Sequence, residues 1–254
     1  MLRSGLVSIT FRRLSRERIV SLTAEARLAA IEWGGDVHAP PGDAAAARDA
    51  RDRTRDAGLA VSSYGSYYRA GDDPPEAFEA VLATALELGA PTIRVWAGRR
   101  GSADADEASR GLVVEDSLRI AEQAAAEGVG VAFEFHGGTL TDTNESAAQL
   151  LAEAPHTNLG CYWQPPRAAS AEDCLTGIDA LGDRLSNVHV FSWAADGVRL
   201  PLAEGEASWR RYLSRIDQIA GDRYALLEFV REDSPDAFLR DAETLKRWLD
   251  ETAR

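Results

Sequence analysis

The chain is predicted to form a single closed (β/α)8 barrel domain over residues 1–254, and three observations predict it. A unit of apolar strand, turn, helical pattern and stop recurs along the whole sequence. Eight such units in 254 residues average about 32 residues each, where a barrel of eight parallel strands takes ~250 in total. No shift of composition marks a linker between them. An open doubly wound sheet of this length would be unusually regular. The dinucleotide fingerprint is also missing: Gly128-Val129-Gly130 is followed by Phe133 where a third glycine belongs, and it opens a strand instead of a helix.

The first unit is a strand over 5–10 and a helix over 15–27. The second strand, 29–33, runs into Gly34-Gly35-Asp36-Val37-His38, and the helix over 43–57 is rich in alanine, arginine and aspartate whose charges form a solvated face. Gly58 stops it, as a residue that tolerates left-handed backbone should. The third strand is 59–64; Pro74-Pro75-Glu76 opens a helix that Gly89 ends. A fourth strand over 92–96 precedes a long helix over 104–127, ended by Gly128. The fifth strand starts at Val129, and a helix over 143–154 follows with Thr143 or Asn144 as its cap. Strand 158–163 and helix 171–181 make the sixth unit. Strand 185–191 leads into a segment carrying Asp196-Gly197, a tight-turn signal, and a helix over 207–220. The last strand is 224–230, and Ser234-Pro235 starts the last helix with a cap and a first-turn proline.

The stretch from Val129 to Thr139 organises the functional reading. Its apolar run stops at Glu134, and two residues later stands His136 on the same face of an extended chain. An acid at the end of an apolar strand is costly unless something pairs with it. In a barrel of this kind the C-terminal ends of the strands converge on one open face. Glu134 ends strand five, Gln164 ends strand six, His189 lies within strand seven and Glu228 ends strand eight. A lone glutamate there is more often a salt-bridge partner, and a lone histidine a satisfied core residue. Two carboxylates, an amide oxygen and an imidazole on four consecutive strands instead match a site for one divalent metal ion. The oxygen-rich set favours Mn2+ or Mg2+, with Co2+ and Zn2+ as further options.

Composition narrows the alternatives. Lys246 is the only lysine and sits in the C-terminal helical pattern, which excludes a Schiff-base aldolase and a P-loop enzyme. A formal net charge of -13 opposes nucleic-acid binding, which needs a basic face. No apolar run approaches the roughly 18 residues of a membrane span. The N-terminal residues lack the apolar core and small-residue cleavage site of a signal peptide, so a cytoplasmic location is expected. Cys161 and Cys174 have no metal or redox spacing and read as buried thiols. A small-molecule partner is expected, and self-association into a homo-oligomer is left open.

Nearly the whole chain resembles the sugar phosphate isomerase/epimerase family, the xylose isomerase-like TIM barrels that also include dehydratases and apurinic endonucleases. The resemblance is carried by Glu134-Phe135-His136-Gly137-Gly138-Thr139, Tyr162-Trp163-Gln164-Pro165, Val188-His189-Val190 and Leu227-Glu228-Phe229. Arg94-Val95-Trp96-Ala97-Gly98 and Glu32-Trp33-Gly34-Gly35-Asp36-Val37-His38 look like the family's other strand ends. The resemblance implies that Glu134, the position of Gln164, His189 and Glu228 hold one divalent metal. The family usually has Asp where Gln164 stands, so two glutamates leave the loaded site neutral, and weaker metal retention is expected. Arg167 replaces a frequent histidine, and Phe191-Ser192 replaces a frequent Lys-Asp pair, so substrate contacts near strands six and seven are expected to differ. The apurinic endonuclease branch is disfavoured by too few histidines and by the negative charge.

A metal that binds both oxygens of an α-hydroxy carbonyl acidifies the intervening C–H and stabilises the enediolate left behind. With Glu134 and Glu228 as base and acid, the expected reaction is isomerisation or epimerisation of a sugar or related hydroxy-carbonyl compound. The alternatives are a dehydratase of inosose or dehydroshikimate type and a sugar-binding barrel without catalysis. Trp33, Trp96, Trp163 and Trp193 fall at or just past strand ends, with Phe11, Tyr64, Tyr67 and Tyr68 nearby. Aromatic faces with a few polar groups suit a sugar-like ligand. Trp33, Tyr64, Trp96 and Arg167 are therefore expected to line a substrate pocket, and His38 and His136 to meet substrate hydroxyls. The acidic loop after strand eight, Arg231-Glu232-Asp233-Ser234-Pro235-Asp236, favours a substrate without phosphate. Arg69, Arg99, Arg100, Arg167 and Arg231 remain available to an anion.

Overall fold

Eight parallel strands close on themselves in chain order in the computed structural model of the protein, which describes residues 1–166 and 169–252. Strand β1 (Leu2–Val7) pairs with both β2 (Ala30–Gly34) and β8 (Arg223–Leu227). Strands β3 (Ala60–Arg69), β4 (Thr92–Trp96), β5 (Gly130–Phe133), β6 (Leu159–Trp163) and β7 (Leu185–Val190) complete the ring. Helices α1 (Arg16–Glu25), α2 (Ala44–Asp56), α3 (Ala77–Leu88), α4 (Glu107–Ala126), α5 (Asn144–Glu153), α6 (Ala171–Leu181), α7 (Glu206–Asp217) and α8 (Pro235–Thr252) alternate with them. The fold is the predicted (β/α)8 barrel.

The helices start where side-chain oxygens satisfy free backbone N–H groups. Ser15, Asp43, Asp106 and Thr143 each accept from the N–H three residues on, and Ser170 with Asp173 forms a capping box. Thr143, not Asn144, is the cap of α5. Gly89 ends α3 in the left-handed conformation, with φ 69°.

Three strands differ from expectation. Strand β1, expected over 5–10, starts at Leu2 and stops at Val7, because Ser8–Phe11 turn into a short 3-10 helix. Strand β3 continues to Arg69 because the residues after Tyr64 keep pairing with β4 across an irregularity in register. Strand β8 stops at Leu227 because Phe229 adopts φ 53°, which extended backbone does not accommodate. The Phe229 N–H donates instead to Thr10 Oγ1 at 3.1 Å.

Successive side chains of a strand point to opposite faces, and the strands sort accordingly. Leu6, Ile31, Trp33, Tyr64, Val95, Phe133, Trp163, Val188 and Leu227 belong to the large apolar cluster that the barrel shares with its helices. Val7, Ile9, Ala132, Tyr162 and Leu226 form a separate, smaller cluster of the other parity, inside the barrel. Cys161 and Cys174 are buried free thiols. Lys246 donates to the Ala26 carbonyl at 2.6 Å, at the foot of α1 and away from the strands' C-terminal ends. Among the described residues no helix is long and apolar enough to cross a membrane.

Candidate functional site

At the C-terminal end of the barrel the inward parity changes from apolar to charged. Glu134, Gln164 and Glu228 follow immediately on β5, β6 and β8, and His189 is the penultimate residue of β7. One ligand atom each of Glu134, His189 and Glu228 lies within 4.8 Å of the others, and all three residues are buried. Donors on one divalent ion, with bonds of about 2.0–2.6 Å, are at most roughly 4–5 Å apart. His189 Nδ1 lies 3.0 Å from Gln164 Oε1, 3.5 Å from Glu228 Oε2 and 4.0 Å from Glu134 Oε1. The four side chains singled out in the sequence as ligands therefore meet around one nitrogen, and the donor set fits one divalent ion.

The other ring nitrogen of His189 points to a group that the sequence reading does not single out. Nε2 is 3.6 Å from Glu32 Oε1, and both side chains are fully buried. A metal on Nδ1 requires the proton on Nε2, which makes no hydrogen bond among the described residues and has the Glu32 carboxylate within ion-pair range. Glu32 in turn accepts from Arg94 Nε at 2.9 Å and from Ser63 Oγ at 2.8 Å. Arg94 also pairs through Nη1 with Glu134. Burial alone would raise the Glu32 carboxyl. The Arg94 charge, with His189 and Ser63, outweighs burial and holds it down to about 2. Gly65 makes room for this pair, since a Cβ there would stand 2.7 Å from both Arg94 Nη2 and Glu32 Oε1. Glu32 and Arg94 carry the same signal as Glu134, a charge inside an apolar strand. Together with Glu134 and Glu228 they leave two net negative charges, which a divalent ion balances.

Trp96 Nε1 donates to Glu134 Oε2 at 2.5 Å, and His136 stacks on the Trp96 ring at 4.5 Å. Burial pushes the His136 imidazole below its ordinary range. Next to these groups opens a cavity of about 510 Å3, lined by Glu134, His136, Asp142, Gln164, Phe191, Trp193, Glu228 and Phe229. A larger hollow of about 730 Å3 lies against α8, by Pro201, Arg231, Asp241 and Arg247. It has no converging acids and imidazole, so the smaller cavity is the candidate site.

Three expected pocket residues are placed elsewhere. Trp33 is fully buried on the outward face and donates to Thr54 Oγ1 of α2 at 3.1 Å. Tyr64 likewise points outward and donates to the Ala39 carbonyl at 2.8 Å. The strand parity explains both: Glu32 and Ser63, one residue earlier, take the inward positions. His38 is buried between Ser8 Oγ at 3.1 Å and the Leu14 carbonyl at 3.2 Å, a satisfied core histidine. Arg167 lies outside the described residues.

Residues 20–250 match the profile of the family described as Xylose isomerase-like TIM barrel. A 3-dehydroshikimate dehydratase of Bacillus anthracis is 42% identical over 177 residues, which span 60% of this chain and 61% of that protein. Among solved structures, the probable 3-DHS dehydratase of Bacillus anthracis involved in petrobactin synthesis superposes with a TM-score of 0.83 at 22% identity, covering 96% of this chain and 98% of the other. A xylose isomerase-like TIM barrel protein from Mycobacterium smegmatis in complex with magnesium gives a TM-score of 0.75 at 14% identity over 99% of this chain and 98% of the other. The profile match covers most of the chain, which therefore belongs to the xylose isomerase-like TIM barrel family.

Proposed function

We propose that the protein is a divalent-metal-dependent dehydratase of a small cyclic hydroxy-carbonyl compound of the 3-dehydroshikimate type. The observation that carries this reading is the meeting of Glu134, Gln164, His189 and Glu228 around one point beside an open cavity. The 42% identity to a 3-dehydroshikimate dehydratase supports dehydration ahead of the isomerisation or epimerisation expected from sequence.

Mn2+ or Mg2+ held by these four side chains would polarise a substrate carbonyl and the neighbouring hydroxyl oxygen, lowering the cost of the enediolate. Glu134 is anchored by donors from Arg94 and Trp96, which fixes its orientation. Glu228 has no such anchor among the described residues, and in this reading it is the base that takes the proton from the carbon beside the carbonyl. The electron pair left behind expels the hydroxyl on the next carbon, which departs with one proton, so the sum is loss of one water. Glu32 and Arg94 keep His189 and Glu134 in place while charge develops. Gln164 adds an oxygen without a charge, so retention of the ion rests on the two glutamates.

A second reading keeps the first step and changes the last. Both carboxylates reach the same imidazole nitrogen, at 3.5 and 4.0 Å, so the proton can be returned to the other face or to the neighbouring carbon. That outcome is an epimerase or isomerase of a sugar-like compound. Incubation of Mn2+-loaded protein with 3-dehydroshikimate separates the two. The dehydratase yields 3,4-dihydroxybenzoate, seen by its ultraviolet absorption. No such product, together with solvent deuterium entering small hydroxy-ketones, would overturn the dehydratase in favour of the second reading.

A further inference from the structure

The cavity beside the acids has two unlike sides. Its polar side comes from the segment after β5, with His136 and Asp142 next to Glu134. The segments after β6, β7 and β8 supply Pro165, Pro166, Phe191, Trp193 and Phe229. The three aromatic residues are half-buried and packed on one another: the Phe191 and Trp193 rings stack at 4.5 Å, and Trp193 leans toward Phe229 at 6.1 Å. A hairpin holds Trp193 in place through an antiparallel bridge to Arg199, whose guanidinium lies 4.7 Å from the Phe229 ring centre and pairs with Asp233. This side has little to offer a hydroxyl. Pro165 and Pro166 have no N–H, the Phe191 carbonyl accepts from Trp209 Nε1 at 2.8 Å, the Phe229 N–H donates to Thr10 Oγ1, and Trp193 Nε1 is buried.

We propose that Phe191, Trp193 and Phe229 form a specificity wall that selects a partly deoxygenated carbocycle over a sugar or an inosose, whose carbons all carry oxygen. The inference rests on the proposed function and deepens it by naming what the substrate ring must lack. With the hydroxy-carbonyl oxygens directed to the pole of Glu134, Gln164, His189 and Glu228, ring carbons further off meet the aromatic side. A CH2 group there leaves water for an apolar surface, whereas a hydroxyl there gives up its water partners without gaining another. The wall is braced by its own stacking and by the hairpin, so little order is lost on binding. These residues set selectivity and move no proton.

The test compares 2-hydroxycyclohexanone with an inosose as ligands of the Mn2+-loaded protein, followed by calorimetry. Both are six-membered rings with an α-hydroxy ketone, and they differ in the hydroxyls on the remaining carbons. 2-Hydroxycyclohexanone is expected to bind roughly 10- to 100-fold more tightly. Trp193→Ser and Phe191→Ser should each narrow that ratio by about threefold or more, while hydroxyacetone, which has no ring to reach the wall, binds them as it binds the parent. Equal binding of the two rings by the parent, or tighter binding of the inosose, overturns the inference, as does a ratio that both variants keep or a loss that hydroxyacetone shares. If neither serine variant folds, the parent ratio and Trp193→His, which keeps a ring but makes it polar and should narrow the ratio, decide. The binding ratio is read without turnover, so a protein that fails to dehydrate 3-dehydroshikimate yet discriminates through Trp193 refutes the proposed function and leaves the wall standing. One that dehydrates it without discriminating does the reverse.

Discussion

The same eight strands present two different chemistries, one on each face. On the inside of the barrel's open end Glu32, Arg94, Glu134, His189 and Glu228 are buried together, each acid facing a cation or an imidazole. On the outside, often one residue along the same strand, Trp33, Tyr64 and Trp163 are buried against helices and satisfy packing instead. Period-two geometry separates the two sets without separating them in sequence. Stability and chemistry are therefore carried by different parities, and each is open to change with limited cost to the other.

The largest break in that comparison comes from Glu134→Gln and Glu228→Gln, which should lower turnover roughly a thousandfold or more while the far-ultraviolet dichroism stays that of the parent. Retained activity in both variants would remove the inner face from the chemistry. Trp33→Ala tests the outer face: it should cost about 3–5 kcal/mol in denaturant unfolding and leave Mn2+ affinity of the folded protein unchanged.

Glu32→Gln sharpens the contrast because Glu32, on the inner face, bears on both stability and metal binding. It leaves Arg94 with one carboxylate fewer, at a cost of about 3 kcal/mol. It also loosens the orientation of His189, with Mn2+ affinity falling roughly 10- to 100-fold in titration. An unchanged affinity would mean that the carboxylate behind the imidazole does not tune it.

The smallest effect concerns an acid on the outer side. Asp241 of α8 is buried with the Leu202 N–H at 2.9 Å as its hydrogen-bond donor, and burial raises its carboxyl to about 6, against the partial offset of that N–H and Arg240. Because the folded state holds this proton more tightly than the unfolded chain, ionisation lowers stability as pH rises from the ordinary carboxylate range through 6. Asp241→Asn keeps an acceptor for Leu202 and removes the charge. It should stabilise by about 1–2 kcal/mol at pH 8 and by almost nothing near pH 3.5 in chemical unfolding. Equal gains at both pH values would contradict the sign. Glu32 is more deeply buried yet shifts the other way, so the partner decides the direction.

Much of the site was legible because Glu134, Gln164, His189 and Glu228 stand at or near the ends of regular apolar runs, and the recurring unit says which ends share a pole. The aromatic residues were less legible. Trp33 and Tyr64 also lie near strand ends, and a one-residue error of phase exchanges the pocket for the helix layer. His38 follows a loop, where no period applies.

The amino-acid sequence by itself determined the eightfold alternation, the closed parallel barrel and the four residues that meet at its open end, because hydrophobic periodicity and stop signals are local and repeat. Only the tertiary structure decided which face each strand residue occupies, that Glu32 stands behind His189 and that Arg94 joins two acids. Those relations arise from side chains brought together from strands far apart in the chain, and a distance across the barrel leaves no mark on local composition.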